Sequence, residues 1–412
     1  MRILWLGHNL AYPPKGGALQ RNYNLLRQAA SGAEVHFLAF DQPRTRPPDV
    51  QPSDCMKALS KFCASADWLP MSQPDGGLYR YRTALQGLVS AHPYEMLWLR
   101  DHRLYQKILH LIRTHHFDVI HFDTLGLAQY MPLVNNCGTV LNHHDVQSAL
   151  MRRRLQNETN PLLRQYWRME TRKLRRAEVR WGEAADVNFV CSSDEATLLL
   201  GKDSGINTAV VANGVDTEYF APRRDPGGQT LLFCGSLDMY PNQEAMKYFF
   251  DGVWPNLRSR HEAIEMYVVG RQPPEWLKAR AASDDRVHVP GFVDDVRPYF
   301  QNATVCVCPI REGGGTRLKI LDSLAMGVPV VGTSFACSGL RLKHERDLLM
   351  ADSADEFVCQ VGRLLGSADL RHRIAVSGRQ SVEREYSWDV IGKQLLTGYQ
   401  DASMRKTQGA VH

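Results

Sequence analysis

Two adjoining stretches decide the fold class: Thr304-Val305-Cys306-Val307-Cys308-Pro309 and Glu312-Gly313-Gly314-Gly315-Thr316-Arg317-Leu318-Lys319-Ile320-Leu321-Asp322. The first is a short apolar run rich in β-branched residues, which predicts a buried strand. The second passes from a glycine triplet into an amphipathic helix that Gly327 and Pro329 end. A strand, a tight turn and a helix in this order form the repeating unit of a parallel α/β sheet.

Similar apolar runs recur along the chain and alternate with helix-length amphipathic stretches. They cover residues 2–7, 34–40, 118–122, 139–142, 186–191 and 208–212, and then 230–235, 264–270, 287–289, 304–309, 329–332 and 348–351. Continuous apolar runs are typical of strands buried on both faces. We therefore expect about six strands in each half, in an α/β architecture of two Rossmann-like, doubly wound domains that face a central cleft.

Composition bounds the class of protein. The chain has 412 residues, of which 44% are hydrophobic and 23% charged, with a formal net charge of +5. These values exclude a disordered chain, and the modest charge does not favour nucleic acid as a partner. The longest charge-free apolar stretch, 323–340, contains glycine and proline, which argues against a membrane span. The apolar run at the N-terminus is too short for a secretory signal.

The nine cysteines are scattered and include no CxxC pair. We expect buried thiols in a reducing compartment, which predicts a cytoplasmic protein. Residues 221–229 are rich in proline, glycine and charge and are predicted to be a linker. The N-terminal domain would then cover 1–220 and the C-terminal domain 230–385.

The glycine-rich turn is the strongest functional signal. A strand-to-helix turn of this kind presents unpaired backbone amides beside the positive end of a helix dipole, which suits a phosphate. We expect the amides of Gly314, Gly315 and Thr316 to face that phosphate, with Arg317 and Lys319 adding charge. Asp322, one helical turn after Lys319, suits ribose hydroxyls. The alternative is a structural turn followed by a helix that Thr316 caps.

These residues resemble the retaining glycosyltransferases of family 4, which have the GT-B fold. In that family two acids flank this segment: the second contacts the nucleotide ribose and the first contacts the hydroxyls of the donor sugar. Asp322 matches the second position, whereas the first falls on Gly314, so Glu312 is the nearest acid for that role. The resemblance continues in 211–216, in Gly270-Arg271 beside the nucleotide, and in 291–296. It also implies a closing helix, 386–403, that returns to the first domain, followed by a tail, 404–412.

The first half carries two further matches. Gly16-Gly17 resembles the glycine-rich loop of the family that faces donor and acceptor, although a plain turn is an open alternative. His143 and His144 follow a predicted strand, where the family places its active-site histidine, and we favour His144 because it precedes Asp145. His121 and Asp123 also follow a strand, but a satisfied buried pair explains them as well. No spacing commits to a metal site, and the fold's transferases generally need no metal, so we expect none.

One departure from the family pattern concerns charge. Many members have an arginine and a lysine after the strand glycine that opens the second domain, whereas here Gly235 is followed by Ser236-Leu237-Asp238-Met239-Tyr240-Pro241-Asn242. The charge of a diphosphate must then be neutralised by Lys319, Arg317 or Arg271. We favour Lys319.

The resemblance implies an enzyme that transfers a hexose from a nucleotide sugar, such as UDP- or GDP-hexose, to a hydroxyl of a glycan or glycolipid, with retention and without a further cofactor. Lys319, Glu312 and His144 are the predicted catalytic residues, and a role in polysaccharide biosynthesis is the expected context. Two alternatives stay open: a nucleotide-sugar 2-epimerase of the same fold, and a non-catalytic nucleotide-sugar-binding partner in polysaccharide assembly.

Residues 151–181 depart from the general composition, because ten arginines and lysines face three glutamates there. A solvated helix is one interpretation. The other is peripheral contact with an anionic membrane, at the inner face of the membrane.

Overall fold

The computed structural model describes residues 1–14, 17–47, 50–71, 78–201, 205–222 and 224–409. It divides the chain into two compact units, one made of Met1–Ala212 and Ile391–His412 and the other of Asn213–Val390. Each unit is built on a parallel sheet flanked by helices. The predicted α/β fold class with two Rossmann-like units is confirmed.

The first unit contains a sheet of seven strands among its described residues, in the order β3-β2-β1-β4-β5-β6-β7. Its strands and α-helices are β1 (Arg2–Gly7), α1 (Gly17–Gly32), β2 (Glu34–Asp41), α2 (Pro52–Leu59), β3 (Ser65–Pro70), α3 (Leu78–Val89), α4 (Tyr94–Trp98), α5 (His102–Thr114), β4 (Val119–Phe122), β5 (Gly138–His143), α6 (Gln147–Asn157), α7 (Pro161–Ala184), β6 (Val187–Val190), α8 (Ser193–Leu200) and β7 (Thr208–Val210). Short 3-10 segments cover Pro43–Thr45 and Leu125–Leu133.

The second unit contains a sheet of six strands among its described residues, in the order β10-β9-β8-β11-β12-β13. Its elements are β8 (Thr230–Cys234), α9 (Tyr240–Tyr248), a π-helical turn (Phe249–Val253), α10 (Trp254–Arg260), β9 (Glu265–Val269), α11 (Glu275–Ser283), β10 (Val287–Gly291), α12 (Arg297–Asn302), β11 (Val305–Cys308), α13 (Leu318–Ala325), β12 (Val330–Gly332), α14 (Ser334–Cys337), β13 (Leu349–Met350), α15 (Ala354–Gly366) and α16 (Ala368–Tyr386). The chain then enters α17 (Trp388–Gly409).

The sequence prediction missed one strand. β3 pairs in parallel with β2, with Trp68 opposite Ala39, and it lies at the edge of the first sheet. Ser65, Asp67 and Pro70 interrupt its apolar pattern, and its central residues are partly exposed. An edge strand tolerates polar residues and proline because one side needs no partner. The continuous-apolar criterion therefore selects central strands and passes over this one.

The division between the units falls after Ala212, rather than after residue 220. The segment that follows is held by the second unit, because Arg379 donates to the carbonyl oxygens of Thr217 at 2.9 Å and Phe220 at 2.7 Å. In the linker predicted at 221–229, Asp225 forms an ion pair with Arg371 at 2.8 Å. Proline and glycine composition marks an irregular segment here, and the structure shows that Asp225 attaches it to the second unit.

The helix α17 provides packing for the first unit from Ile391 onward. The Tyr399 hydroxyl lies 3.0 Å from Nδ1 of His121, and the Tyr399 ring lies 5.4 Å from that of Phe189. A Cβ atom on Gly32 would lie 2.5 Å from Leu396, so that glycine makes room for the helix. Residues 391–409 thus belong with the N-terminal residues in one core.

Two further sequence expectations concern cysteines and membranes. All nine cysteines lie among the described residues, all are free thiols, and seven are buried. None of the described helices has the length and apolarity needed to cross a bilayer.

Candidate functional site

The glycine-rich turn lies between β11 and α13, at the carboxyl end of a central strand. Gly313 has φ = +115° and Gly315 has φ = +67°, conformations that side chains with a Cβ rarely adopt. A Cβ atom on Gly313 would also lie 3.1 Å from Cγ of Pro241, at the start of α9. Two glycines of the triplet are therefore required by the shape of the backbone.

Thr316 and Arg317 hold this turn in place. The Thr316 hydroxyl accepts a hydrogen bond from the amide of Asn213 at 2.6 Å. The Arg317 guanidinium donates to the carbonyl oxygens of Gly314 and Gly315, the latter at 2.9 Å, and lies over the ring of Phe335. Arg317 is also the residue that precedes the helix, without a side-chain cap, so the alternative in which Thr316 caps α13 is wrong. One nitrogen of the Arg317 guanidinium, Nη1, is therefore used on the turn itself.

Lys319 provides a cation at the carboxyl end of β8. Its ammonium donates to Oδ1 of Asn242 at 2.8 Å and lies 3.9 Å from the centre of the Phe233 ring. A Cβ atom on Gly235 would lie 2.6 Å from Nζ of Lys319. The ammonium thus lies beside the strand glycine, where the family pattern expects a cation and the sequence after Gly235 has none. Burial lowers the pKa of Lys319 below its usual value.

Asp322 lies on the same helix, one turn further on. Its Oδ1 atom is buried and has no hydrogen-bond partner among the described residues. Burial raises the pKa of Asp322 to about 7, although the nearby Lys319 opposes that shift. Buried polar atoms are normally paired, so this oxygen is a candidate ligand contact.

Two other predicted residues have protein partners. Arg271 is half-exposed and forms an ion pair with Asp238 at 3.3 Å, which offsets much of its charge. Glu312 lies beside the exposed Tyr240, whose pKa is raised first by burial and then by the charge of Glu312. Both partners, Asp238 and Tyr240, belong to the segment after β8. Arg271 and Glu312 therefore lie near the turn, and each already has a protein partner.

The first unit has its own polar cluster, centred on Asp123 at the end of β4. Oδ2 of this fully buried carboxylate accepts hydrogen bonds from Nδ1 of His8 at 2.9 Å and from the amide of Asn22 at 2.8 Å. Oδ1 accepts from the amide of Asn142 at 3.1 Å and from Nε2 of His144 at 3.2 Å. The donors come from the ends of β1 and β5 and from α1, so one carboxylate ties together adjacent strand ends.

Charge within this cluster is balanced by hydrogen bonding. Burial alone would raise the pKa of Asp123, but the charge of His144, the hydrogen bonds from His144 and His8, and the nearby His121 hold that pKa well below its usual range. Burial opposes a charge on His8, yet the hydrogen bond to Asp123, the charge of Asp123 and the charge of Glu95 together outweigh burial and raise the pKa of His8. The carboxylate is therefore ionised and stabilises an imidazolium beside it.

The two neighbouring histidines, His143 and His144, lie in different surroundings. His143 is buried against Asn188, and burial lowers its pKa to about 4. His144 is partly exposed and is held by Asp123, not by the adjacent Asp145. His121 stacks on Trp5 with ring centres 3.8 Å apart and belongs to the core. Asp123 is thus a centre of the cluster, beyond the satisfied pair with His121 that the sequence suggested.

The predicted loop near the N-terminus is placed in part. Gly17 begins α1, whereas Gly16 lies outside the described residues. The nearby Arg21 is buried and donates to the carbonyl oxygen of Val211 at 2.8 Å and to Asn142 at 3.3 Å. Arg21 therefore contacts the polar cluster through Asn142, which donates to Asp123.

His8, Asp123 and His144 also place one ligand atom each within 4.8 Å of one another, a grouping that could hold a metal ion. Sequence spacing gave no sign of it, because the three residues come from three strands. Each oxygen of Asp123 already accepts two hydrogen bonds, so this carboxylate is satisfied by protein donors.

The sequence analysis missed three residues of these two sites: His8, Asn242 and, as a central residue, Asp123. A usable signal existed for His8, because it follows the first strand directly, the position used to select His144. Asn242 had no such signal, since its role depends on a lysine 77 positions later in the chain.

Comparisons with known proteins agree with this architecture. The family model described as Glycosyltransferase Family 4 matches residues 15–219, and that described as Glycosyl transferases group 1 matches residues 228–367. A GDP-mannose-dependent alpha-(1-6)-phosphatidylinositol monomannoside mannosyltransferase of Mycobacterium tuberculosis is 24% identical over 244 residues. That match covers 52% of this chain and 62% of the relative, so the chain spans less than two thirds of the relative's length.

Among solved structures, sucrose-phosphate synthase from Thermosynechococcus elongatus superposes with a TM-score of 0.68 at 16% identity, over 98% of this chain and all of that one. HepE from Anabaena in complex with UDP-glucose gives a TM-score of 0.65 at 14% identity, over 96% of this chain and 98% of that one. At identities of 14–16%, these similarities show the fold alone. With family models matching both halves of the sequence, the chain belongs to the group 1 glycosyltransferases of the family 4 type, with a GT-B fold.

Proposed function

We propose that this chain transfers a hexose from a nucleotide sugar to a hydroxyl group of a glycan or lipid-linked acceptor, with retention of the anomeric configuration. The observation that carries the proposal is the ammonium of Lys319 beside Gly235, at the end of β8 and next to the glycine-rich turn. The mycobacterial relative is named as GDP-mannose-dependent, and HepE was solved with UDP-glucose, which supports a nucleotide-sugar donor.

The donor would bind to the second unit. The amides of Gly314, Gly315 and Thr316 and the Lys319 ammonium would hold the diphosphate, and the unpaired Oδ1 of Asp322 would accept a ribose hydroxyl. Glu312 would contact hydroxyls of the donor sugar. Departure of a nucleoside diphosphate builds negative charge on phosphate oxygen, so fixed donors at that point lower the barrier. Arg317 and Arg271 would act at longer range, since both have protein partners.

In the first unit, His144 would lie near the transferred sugar, oriented by Asp123. Gly16 and Gly17 keep their predicted role at the donor. We assign no protein nucleophile, and an oxygen of the leaving diphosphate would take the proton of the acceptor hydroxyl. No cofactor or metal is assigned to the reaction.

The test is a donor screen. Purified protein is titrated with UDP- and GDP-hexoses, and nucleoside diphosphate release is then measured with and without glycan and lipid-linked acceptors. We expect one donor to bind and to release its diphosphate faster when acceptor is present. Binding without release would contradict transfer and favour a non-catalytic binding protein.

Retention is tested separately by the anomeric configuration of the product, read from NMR coupling constants. A product with the donor's configuration supports retention. An inverted product would contradict the assigned stereochemistry while leaving the transferase assignment in place. Cytoplasmic location and a role in polysaccharide biosynthesis belong to the same proposal, and the identity of the acceptor tests the latter.

A further inference from the structure

The helix α7 carries a row of arginines at four-residue spacing. Because residues four apart are neighbours on a helix surface, the row winds slowly along one side. All five side chains are exposed, and none forms an ion pair with a carboxylate among the residues that the structure describes. The row consists of Arg164, Arg168, Arg172, Arg176 and Arg180.

Two of the three glutamates of α7 turn inward, whereas Glu183, near the end of the helix, is exposed and forms no ion pair with the row among the residues that the structure describes. Glu170 is buried and accepts a hydrogen bond from the backbone amide of Tyr94. Glu178 is fully buried and accepts from the backbone amide of Ser148 at 2.8 Å and from its hydroxyl at 2.5 Å. The outer surface of α7 is therefore more cationic than the sequence indicated. Like charges at this spacing repel one another and disfavour the helix unless an anion neutralises them.

The neighbouring helix α3 presents its apolar residues to solvent. Thr83 and Gly87 are buried, whereas the exposed fractions are 72% for Tyr81, 63% for Leu85 and 52% for Leu88. Val89 follows with 91%. The spacing of these four side chains places them on one side of the helix, a stripe of the kind that normally faces a core. A contiguous exposed stripe of this kind marks an interaction surface.

The two helices are in contact, because the ammonium of Lys173 on α7 donates to the carbonyl oxygen of Gly87 on α3. Arg80 and Arg82 are exposed beside the apolar stripe, and α3 contains no acidic residue from Leu78 to Val89. Leu162, at the start of α7, adds a further apolar side chain that is 82% exposed. Apolar side chains and unpaired arginines thus occur together on adjacent helices of the first unit.

We propose that α3 and α7 form a docking surface for an anionic lipid bilayer. The apolar stripe of α3 enters the boundary between headgroups and acyl chains, and the arginine row of α7 contacts lipid phosphates. A soluble polyanion would satisfy the arginines but would leave the stripe in water, so the apolar residues favour a membrane. Docking in this way needs neither donor nor turnover, and it therefore stands apart from the proposed transfer reaction.

The experiment is sedimentation of the full chain with vesicles, without nucleotide. Two compositions are compared: phosphatidylcholine mixed with phosphatidylglycerol, and phosphatidylcholine alone. We expect binding to the anionic vesicles and little to the neutral ones, with a decline as salt is raised. The double variant Leu85→Gln/Leu88→Gln should bind about tenfold more weakly because it removes inserted apolar surface. Arg168→Gln/Arg172→Gln should weaken binding about tenfold by removing charge.

Matched controls use exposed residues elsewhere. Leu198→Gln/Val376→Gln removes two exposed apolar side chains, and Arg258→Gln/Arg280→Gln removes two arginines that have acidic partners; both should bind as the unchanged chain does. Equal binding by the α3 variant, or equal binding to neutral vesicles, would overturn the proposal. Light scattering decides whether the stripe instead joins two copies: a dimer that the α3 variant dissociates would also overturn it.

Discussion

The two sheets end in polar clusters of opposite character. At the first sheet, the Asp123 carboxylate accepts four hydrogen bonds from side chains of the same unit. At the second sheet, Oδ1 of Asp322 has no partner among the described residues. Ligands of open parallel sheets bind beyond the carboxyl ends of the strands, where both clusters lie. The Asp123 carboxylate itself is saturated by protein donors, although Oδ1 of Asn22 beside it has no partner among the described residues. In the second cluster the carboxylate has a buried oxygen that a ligand can satisfy.

The electrostatic consequence is a difference in the direction of the pKa shifts. Asp123 has a pKa well below its usual range, since the charge of His144 and the hydrogen bonds to the carboxylate together outweigh burial. Burial raises the pKa of Asp322 to about 7 and lowers that of Lys319, so burial disfavours both charges. A bound diphosphate would favour the charged form of Lys319. The comparison therefore assigns a charge stabilised by protein donors to the first unit, and charges that burial disfavours to the second.

The largest effect should come from Lys319→Ala. Removing the ammonium beside Gly235 takes away the charge that would meet the leaving diphosphate, and we expect kcat/KM for diphosphate release to fall by about 10²-fold or more. Lys278→Ala is the matched control, because Lys278 forms an exposed pair with Glu275 on α11. A Lys319→Ala enzyme as active as the control would remove the second cluster from the proposed chemistry.

The next largest effect is a loss of stability in the variant Asp123→Asn. The variant leaves the partly exposed His8 imidazolium beside a neutral amide and breaks the shared network around the buried Asp123 side chain, so we expect a loss of about 2 kcal/mol in the free energy of unfolding. Urea titration measures it, with Glu34→Gln, which alters an exposed pair with Arg2, as the control. A loss no larger than that of the control would mean that the cluster does not hold the strand ends together.

The pH dependence of the same variant sharpens this result. Because the folded pKa of His8 is raised above 6.5, its contribution is full below that pH and is lost as pH rises through the folded pKa. The unchanged protein should thus lose stability as pH rises above about 6.5. In Asp123→Asn this decline should be smaller, and an identical decline would contradict the pairing of His8 with Asp123.

Much of the fold follows from local sequence. Central strands of a parallel sheet are largely apolar, and a glycine-rich turn between a strand and a helix is recognisable in the sequence. The edge strand β3 was not predicted, because Asp67 and Pro70 interrupt its apolar sequence and no glycine-rich turn marks it. Lys319 was favoured by elimination, since the sequence after Gly235 lacks a cation, and the ammonium does lie beside that glycine. Asn242 and the role of Asp123 were beyond reach, because both depend on which strand ends become neighbours.

Asp322→Asn tests the second cluster with a smaller effect. In the folded chain Asp322 keeps its proton up to a pH of about 7, whereas the unfolded chain releases it near 3.8. The folded state then binds more protons between these values, so stability falls as pH rises from about 4 to about 7. Asp322→Asn has no such proton and should be more stable than the unchanged protein at pH 8, by on the order of 1 kcal/mol.

The same residue separates stability from binding. If Asp322 accepts a ribose hydroxyl, Asp322→Ala should weaken binding of the nucleoside diphosphate in calorimetry while the fold persists. Asp285→Ala, at an exposed aspartate that follows α11, serves as a control with the same change of side chain. An unchanged dissociation constant in Asp322→Ala would contradict the ribose contact.

The smallest expected effect is that of a chelator on turnover. A metal at His8, Asp123 and His144 would need lone pairs that the protein already uses, because each oxygen of Asp123 accepts two hydrogen bonds. It would also displace the Asn22 and Asn142 amides, and buried donors without acceptors are costly. The raised pKa of His8 favours its protonated form, which cannot bind a cation. Diphosphate release should therefore be unchanged by EDTA, with metal content of the purified protein measured in parallel. The opposite result would be that EDTA abolishes turnover, that Zn²⁺ or Mn²⁺ restores it, and that neither metal restores it in His8→Gln. The first cluster would then be the one that a ligand completes.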